Sequence, residues 1–285
     1  MDFIRSAARR RTLGALAGTA LIAAVIQIPA SAGTATAPDK SSARASGAQS
    51  AFSAAEDDEY YKDAEGKTGE ELKKALHGII SKGVTTLSYD EVWDALKETD
   101  KDPDNAGNVI LLYSGKSESA DNNGGGEDQW NREHVWAKSH GDFGTGNGPG
   151  TDVHHLRPTN VKVNSIRSSK DFDKGGEEVE GAPGNFTDDD SFEPRDEVKG
   201  DVARMILYMD VRYEGEDEFP DLEANDDVNN GSKPNIGRIS VLKQWSDEDP
   251  PDKFEENRNQ VIFDKFQKNR NPFIDHPEWV EEIYK

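Results

Sequence analysis

The order of apolar and polar positions divides the chain into short helices, few strands and long polar loops. In GEELKKALHGIISKG (69–83), Leu72, Leu76, Ile79 and Ile80 recur at helical spacing and Gly83 marks a stop. Ser88-Tyr89-Asp90-Glu91 has the form of a capping box, and Val92, Trp93 and Leu96 behind it make a second amphipathic helix. NVILLYS (108–114) is the strongest strand. Pro158 is placed in the first turn of a helix that carries Val161, Asn164 and Ile166. GDVARMILYMDVRY (200–213) sets Val202, Met205, Ile206 and Met209 on one helical face. ISVLKQW (239–245) reads as a short helix. DKFEENRNQVIFDKFQKNRNPF (252–273) reads as one long amphipathic helix ending at Asn271-Pro272, and a last helix starts near Pro277. DNNGGGEDQ, GDFGTGNGPG (141–150) and the acidic, Gly-rich stretches 173–199 and 214–236 read as exposed loops. Helices outnumber strands, no repeat is found, and a single mainly helical α+β domain of about 225 residues accounts for the pattern.

The first residues stand apart from this pattern. Arg5, Arg9, Arg10 and Arg11 precede the apolar run LGALAGTALIAAVIQIPA, and Ala30-Ser31-Ala32 follows. That is the order of a secretory signal over residues 1–32, with RRRTLGAL compatible with a twin-arginine route. Residues 33–58, rich in Ala, Ser, Gly and Thr, have little to bury and read as a disordered linker. The product expected is a secreted, extracellular, monomeric protein with no membrane association after cleavage. It has no cysteine, so disulfides cannot hold it together. The formal net charge is −22, and losing four Arg and one Asp with the signal makes it −25. Such a charge opposes phosphate binding over a broad surface and suits an acidic calcium-binding protein.

The chemistry is concentrated in NREHVWAKSHG (131–141). A buried strand normally excludes an adjacent acid and histidine, whereas a metal site or a general base requires such groups. Of the six histidines, His134, His140, His154 and His155 bracket the Gly-rich loop, while His77 and His276 lie elsewhere. No HExxH is present, so a zinc site would need three of these histidines, or histidine plus acid. A hard cation is the other option. Glu133 supplies a carboxylate and Asn164 an amide oxygen, and magnesium uses few protein oxygens and keeps several waters. His134, neutral near pH 7, can take a proton from water, which suits phosphodiester hydrolysis. Neighbours on a strand face opposite sides, so Glu133 and His134 can share one site only where the strand ends, twists or bulges.

NREHVWAKSHGDFG, GTDVHHLRPTNVKVNSIRSSKDFD, GDVARMILYMDVRY and NRNPFIDHPEWV, in that order, resemble the bacterial endonuclease I family, and within it the secreted Bsn-like ribonuclease branch. The resemblance covers about residues 60–285 and assigns residues 59–285 to a nuclease domain. It implies a small ββα-metal (His-Me finger) core and cleavage of RNA and/or DNA with little sequence preference, leaving 5′-phosphate ends. It implies His134 as general base, with Glu133 and Asn164 holding Mg2+, or Mn2+ or Ca2+ in its place. It also implies an arginine on the scissile phosphate, which in relatives lies between the two motifs. Residues 141–151 contain no Arg, so Arg167 and Arg157 are assigned that role, with Arg132 a third by proximity. Relatives also use disulfides that this chain lacks.

Other residues keep two readings. One of His154 and His155 orients the site and the other packs. Trp130 and Trp136 read as core before base-stacking groups. Lys162, Arg167 and Lys170 are expected to form a local positive patch, and the acidic runs 188–190 and 214–219 to be solvated loops with room for calcium. Two rivals stay open: a zinc-dependent hydrolase using the clustered histidines, and a non-enzymatic calcium-binding protein.

Overall fold

A helix buried on every side over residues 200–212 organises the described part of the chain. The computed structural model describes residues 52–215 and 217–285. The segment read as a signal, 1–32, and most of that read as a linker, 33–58, lie outside them. The described helices are α1 (Ala54–Tyr60), α2 (Gly69–Ile80), α3 (Glu91–Thr99), α4 (Val161–Arg167), α5 (Lys199–Arg212), α6 (Ile239–Glu248), α7 (Lys253–Val261), α8 (Pro272–Asp275) and α9 (Trp279–Ile283). Strands β1 (Asn108–Ile110) and β2 (Ser117–Ser119) pair antiparallel, as do β3 (Trp130–His134) and β4 (Leu156–Asn160). Strands β5 (Asp171–Phe172), β6 (Glu177–Glu178), β7 (Phe186–Thr187) and β8 (Ser191–Glu193) form a sheet in the order β5-β8-β7-β6. Strands β9 (Glu223–Ala224) and β10 (Asn235–Ile236) form a parallel pair. The fold is α+β. No helix among the described residues is long and apolar enough to cross a membrane.

Several elements differ from the sequence reading, each for a physical reason. Residues 54–58 are helical rather than linker. A capping box starts α1, with Glu56 N–H on Ser53 Oγ (3.3 Å) and Ser53 N–H on Glu56 Oε2 (3.0 Å), and the helix buries no residue, so no apolar period marks it. The stretches read as loops at 173–199 and 214–236 carry β6 to β10, which are too short to show a period of two. Of NVILLYS only Asn108–Ile110 is strand, although Leu111, Leu112 and Tyr113 are buried. The long helix at 252–273 stops at Val261. A π-turn follows, with Gln267 N–H on Ile262 O (2.9 Å). Lys268 then takes φ +66°, and Asn271 caps α8 by accepting from Phe273 N–H (3.0 Å). Asn269 and Asn271 reach buried carbonyls of Ile80 and Arg204, which the straight helix would have placed out of range.

All of Gly200–Arg212 is buried, not only the expected apolar face. The polar face is accommodated by pairing: Arg204 with Glu255, Asp201 with Arg157, Asp210 with Lys73. Gly200 lets α5 pass the end of α6, since a Cβ there would lie 1.9 Å from Asp249 O. One apolar cluster surrounds α5 and includes Leu72, Leu76, Val135, Trp136 and Trp245. A second lies on the other side of β3 and β4 and includes Val92, Leu96, Trp130 and Leu156. Trp130 and Trp136 are therefore core.

Pro158 lies in β4, opposite Arg132, and the first helical turn is capped by Asn160 instead. Val135 N–H on His155 O and Val161 N–H on Gln129 O bracket the hairpin as hydrogen-bonded positions. By alternation the nitrogen of Pro158 faces away from β3, where no donor is needed. Helix α4 follows β4 without a loop, so β3, β4 and α4 form one ββα unit wedged between the two cores.

Candidate active site

Strand β3 ends at His134. Freed from strict alternation, Glu133 and His134 line one cleft of about 450 Å³ between β3 and α4, although they are only 2% and 6% exposed. The Glu133 carboxylate accepts from Tyr113 Oη (2.7 Å) and lies 3.3 Å from Arg167 Nη1. Burial pushes its pKa above the ordinary carboxylate value, and Arg167 and then Tyr113 pull the other way.

His134 Nε2 lies 3.0 Å from Gly150 O, and only a protonated nitrogen satisfies a carbonyl. The lone pair therefore sits on Nδ1, which has no partner among the described residues and is not sealed from solvent. Burial first, and the neighbouring His155 next, hold the imidazole pKa well below its ordinary value, so it is neutral at pH 7. Tyr89 stacks beside it at 5.9 Å. Across the cleft on α4, Asn164 donates Nδ2–H to Asn131 Oδ1 (2.7 Å), which leaves Asn164 Oδ1 as an open acceptor. The unit thus gathers one carboxylate, one amide oxygen and one neutral imidazole.

The cations fall out differently from the sequence reading. Arg167 lines the cleft but is buried. Its guanidinium donates to the carbonyls of His134 (2.9 Å) and Val135 (2.6 Å), so it staples α4 to the end of β3. Arg157 does not line the cleft. It belongs to a buried cluster with Asp100, Asp201 and Arg258. Lys162 faces Glu180 and Lys170 donates to Thr187 and Asp188, so the expected patch does not form around Arg167. The cleft cations not engaged by a carboxylate are Arg132, held over the rings of Tyr89 (3.4 Å) and Trp93 (4.0 Å), and the exposed Lys138.

None of the remaining histidines lines the cleft. His154 Nε2 meets Asn269, and both ring nitrogens of His140 meet backbone carbonyls. His155 Nε2 meets Pro149 O and its Nδ1 accepts from Trp136 N–H. Burial depresses His154 and His155 to about 4. His77 meets Val211 O, and His276 stacks on Trp279 between Asp57 and Glu278. Among the described residues no group of three or more His, Asp or Glu is placed to hold a metal ion. Sequence reasoning missed Tyr113, Asn131 and Lys138. Asn131 was within reach, since two residues before Glu133 is the same face of a strand.

The chain is similar to known proteins over most of its length. The family model described as Endonuclease I matches residues 68–278. The extracellular ribonuclease of Bacillus subtilis (strain 168) is 62% identical over 230 residues, covering 81% of this chain and 80% of the relative. The extracellular ribonuclease of Bacillus amyloliquefaciens is 60% identical over 230 residues, covering 81% and 79%.

Proposed function

The chain belongs to the endonuclease I family and is a nuclease, and on that premise we propose that it is a secreted, monomeric, metal-dependent endonuclease of RNA, and of DNA as well. The observation that carries the reading is the ββα unit, which presents Glu133 and His134 from one strand end to Asn164 on the following helix. We read it as a His-Me finger core. The names of the two relatives support secretion and RNA as substrate.

The donor set fits a hard divalent cation. No hydrogen bond among the described residues ends on Glu133 Oε2 or Asn164 Oδ1, and neither atom is sealed from solvent. Two oxygens with room for water are what Mg2+ accepts, and Mn2+ or Ca2+ suit the same oxygens. Held by Glu133 and Asn164, such an ion would supply positive charge that stabilises the charge developing on the scissile phosphate. The protein's own part is the proton and the placement. His134 Nδ1 removes a proton from water, the water oxygen bonds to phosphorus as the bond to the 3′ oxygen breaks, and the leaving 3′ oxygen takes up a proton from solvent water. The products carry 5′-phosphate and 3′-hydroxyl ends. Arg132 and Lys138 hold flanking phosphates, and contacts of that kind carry no sequence information.

The test is cleavage of ribosomal RNA and of plasmid DNA by purified protein, with Mg2+ or with chelator. Cutting should need the metal, and His134→Ala should lose about 10²–10⁴-fold in rate. If His134→Ala cuts like the wild type, the base is not His134.

A further inference from the structure

We infer that His155 is a positioning residue for the cleavage step: it holds the Pro149–Gly150 peptide against the end of β3 and so decides which nitrogen of His134 carries the hydrogen. The inference rests on His134 being the base. Its own contacts admit a single tautomer. Trp136 N–H donates to His155 Nδ1 (3.3 Å), so that nitrogen is an acceptor and Nε2 must bear the hydrogen. That hydrogen goes to Pro149 O (2.7 Å). The next carbonyl along the chain, Gly150 O, receives His134 Nε2 (3.0 Å). The main chain of His155 closes the circuit, its carbonyl taking Val135 N–H (3.1 Å). Residues 134–136, 149–150 and 155 therefore form one ring of contacts, with the two imidazoles 5.6 Å apart.

The competing explanation is that the loop alone fixes the carbonyl. A Cβ on Gly150 would lie 2.7 Å from Gly146 O and 2.8 Å from Gly144 O, so the loop is packed on itself. In that case His155 is simply a filled core position and any polar replacement is equivalent. The two explanations separate on replacements that keep different halves of the imidazole. Gln places its amide near Nε2 and can still reach Pro149 O. Asn places its amide near Nδ1, can still accept from Trp136 N–H and falls short of Pro149.

The experiment uses full-length chain labelled with 15N-histidine. Long-range 1H–15N correlations read the His134 tautomer, and kcat, KM and Tm are measured alongside. Wild type should show His134 as the Nε2–H form. His155→Asn should show a tautomer mixture and a kcat lower by about 10–100-fold, a range typical of groups that orient a site histidine, with KM little changed. His155→Gln should restore both. The inference is overturned if Asn and Gln lower kcat equally or in step with Tm, or if His134 stays Nε2–H in His155→Asn. A wild-type His134 protonated on Nδ1 overturns it with no variant at all. The tautomer is read whether or not the protein cuts, so failure of His134 as base and failure of His155 as its positioner remain distinguishable.

Discussion

Tyr113→Phe tests the electrostatics of the cleft most directly. The ring packs against Phe192 at 4.8 Å and is fully buried, so Phe keeps the shape and removes one oxygen. That oxygen donates to Glu133 Oε1 at 2.7 Å, beside the Arg167 guanidinium at 3.3 Å. A hydrogen bond to a buried ionised carboxylate contributes about 1.5–3 kcal/mol. Burial already drives Glu133 towards its neutral form, and Tyr113 opposes this. Without the hydroxyl the neutral form gains, yet only the ionised form serves a cation. At about 1.4 kcal/mol per tenfold, the Mg2+ concentration for half-maximal cleavage should rise roughly 10–100-fold near pH 7. The deficit should shrink as pH rises, because a carboxylate with a raised pKa recovers its charge on the alkaline side. The assay is cleavage rate against Mg2+ at several pH values, with thermal unfolding as control. An unchanged Mg2+ midpoint across that range would refute the reasoning.

Lys138→Gln should lower the slope of log binding constant against log salt by about one for RNA, with kcat little changed; an unchanged slope removes Lys138 from the phosphate path. His154 titrates near 4 in the fold against an ordinary 6.5. Its contribution to stability is therefore full above 6.5 and lost as pH falls towards 4, where the unfolded chain holds a proton that the fold refuses. Replacing it with Gln should narrow the stability gap to wild type by about 3 kcal/mol between pH 7 and 4, and parallel urea-unfolding curves would contradict this. Asp100→Asn strips the carboxylate that Arg157 and Arg258 share, a buried loss of about 3–5 kcal/mol in urea unfolding, whereas a loss under about 1 kcal/mol would mean the cluster is dispensable.

What could be read in advance follows from which signals are local. Helices α2, α3, α5 and α6 carry apolar residues at a 3.6 period and were legible. The β6–β10 strands are two or three residues long, below the length at which a period exists. Within the site, Glu133, His134 and Asn164 were singled out through motifs, and two neighbours sharing a face required the strand to end, twist or bulge there; it ends, at His134. The arginines could not. Arg157 and Arg167 are near in sequence, but their partners Asp100, Asp201 and the His134 carbonyl are set by packing between distant elements. Tyr113 was hidden for the same reason, because nothing local distinguishes a buried tyrosine whose hydroxyl meets a carboxylate twenty residues away.

The chain's charge can now be weighed against its substrate. A net charge of −22 repels a polyanion, yet the cleft lining contains Arg132, Lys138 and Arg167 against Glu133 alone. The acidic run 188–190 lines a different hollow, with Gly176, Glu177 and Thr187. At physiological salt the Debye length is about 8 Å, so a phosphate inside the cleft interacts with the cations lining it more than with acids beyond that range. Arg167 is engaged with backbone and Glu133, and Arg132 already donates one Nη1 hydrogen to Tyr89 O, so at most about two cations meet phosphate and the salt slope by counterion release should be no steeper than about −2, far shallower than that of a broad basic surface. Capture on this scale is weak, and acids elsewhere discourage phosphate from settling off the cleft. Weak capture confined to one cleft favours rapid release of cut strands. On the proposed reading the two cations meet backbone phosphate rather than base edges, and contacts of that kind carry no sequence information.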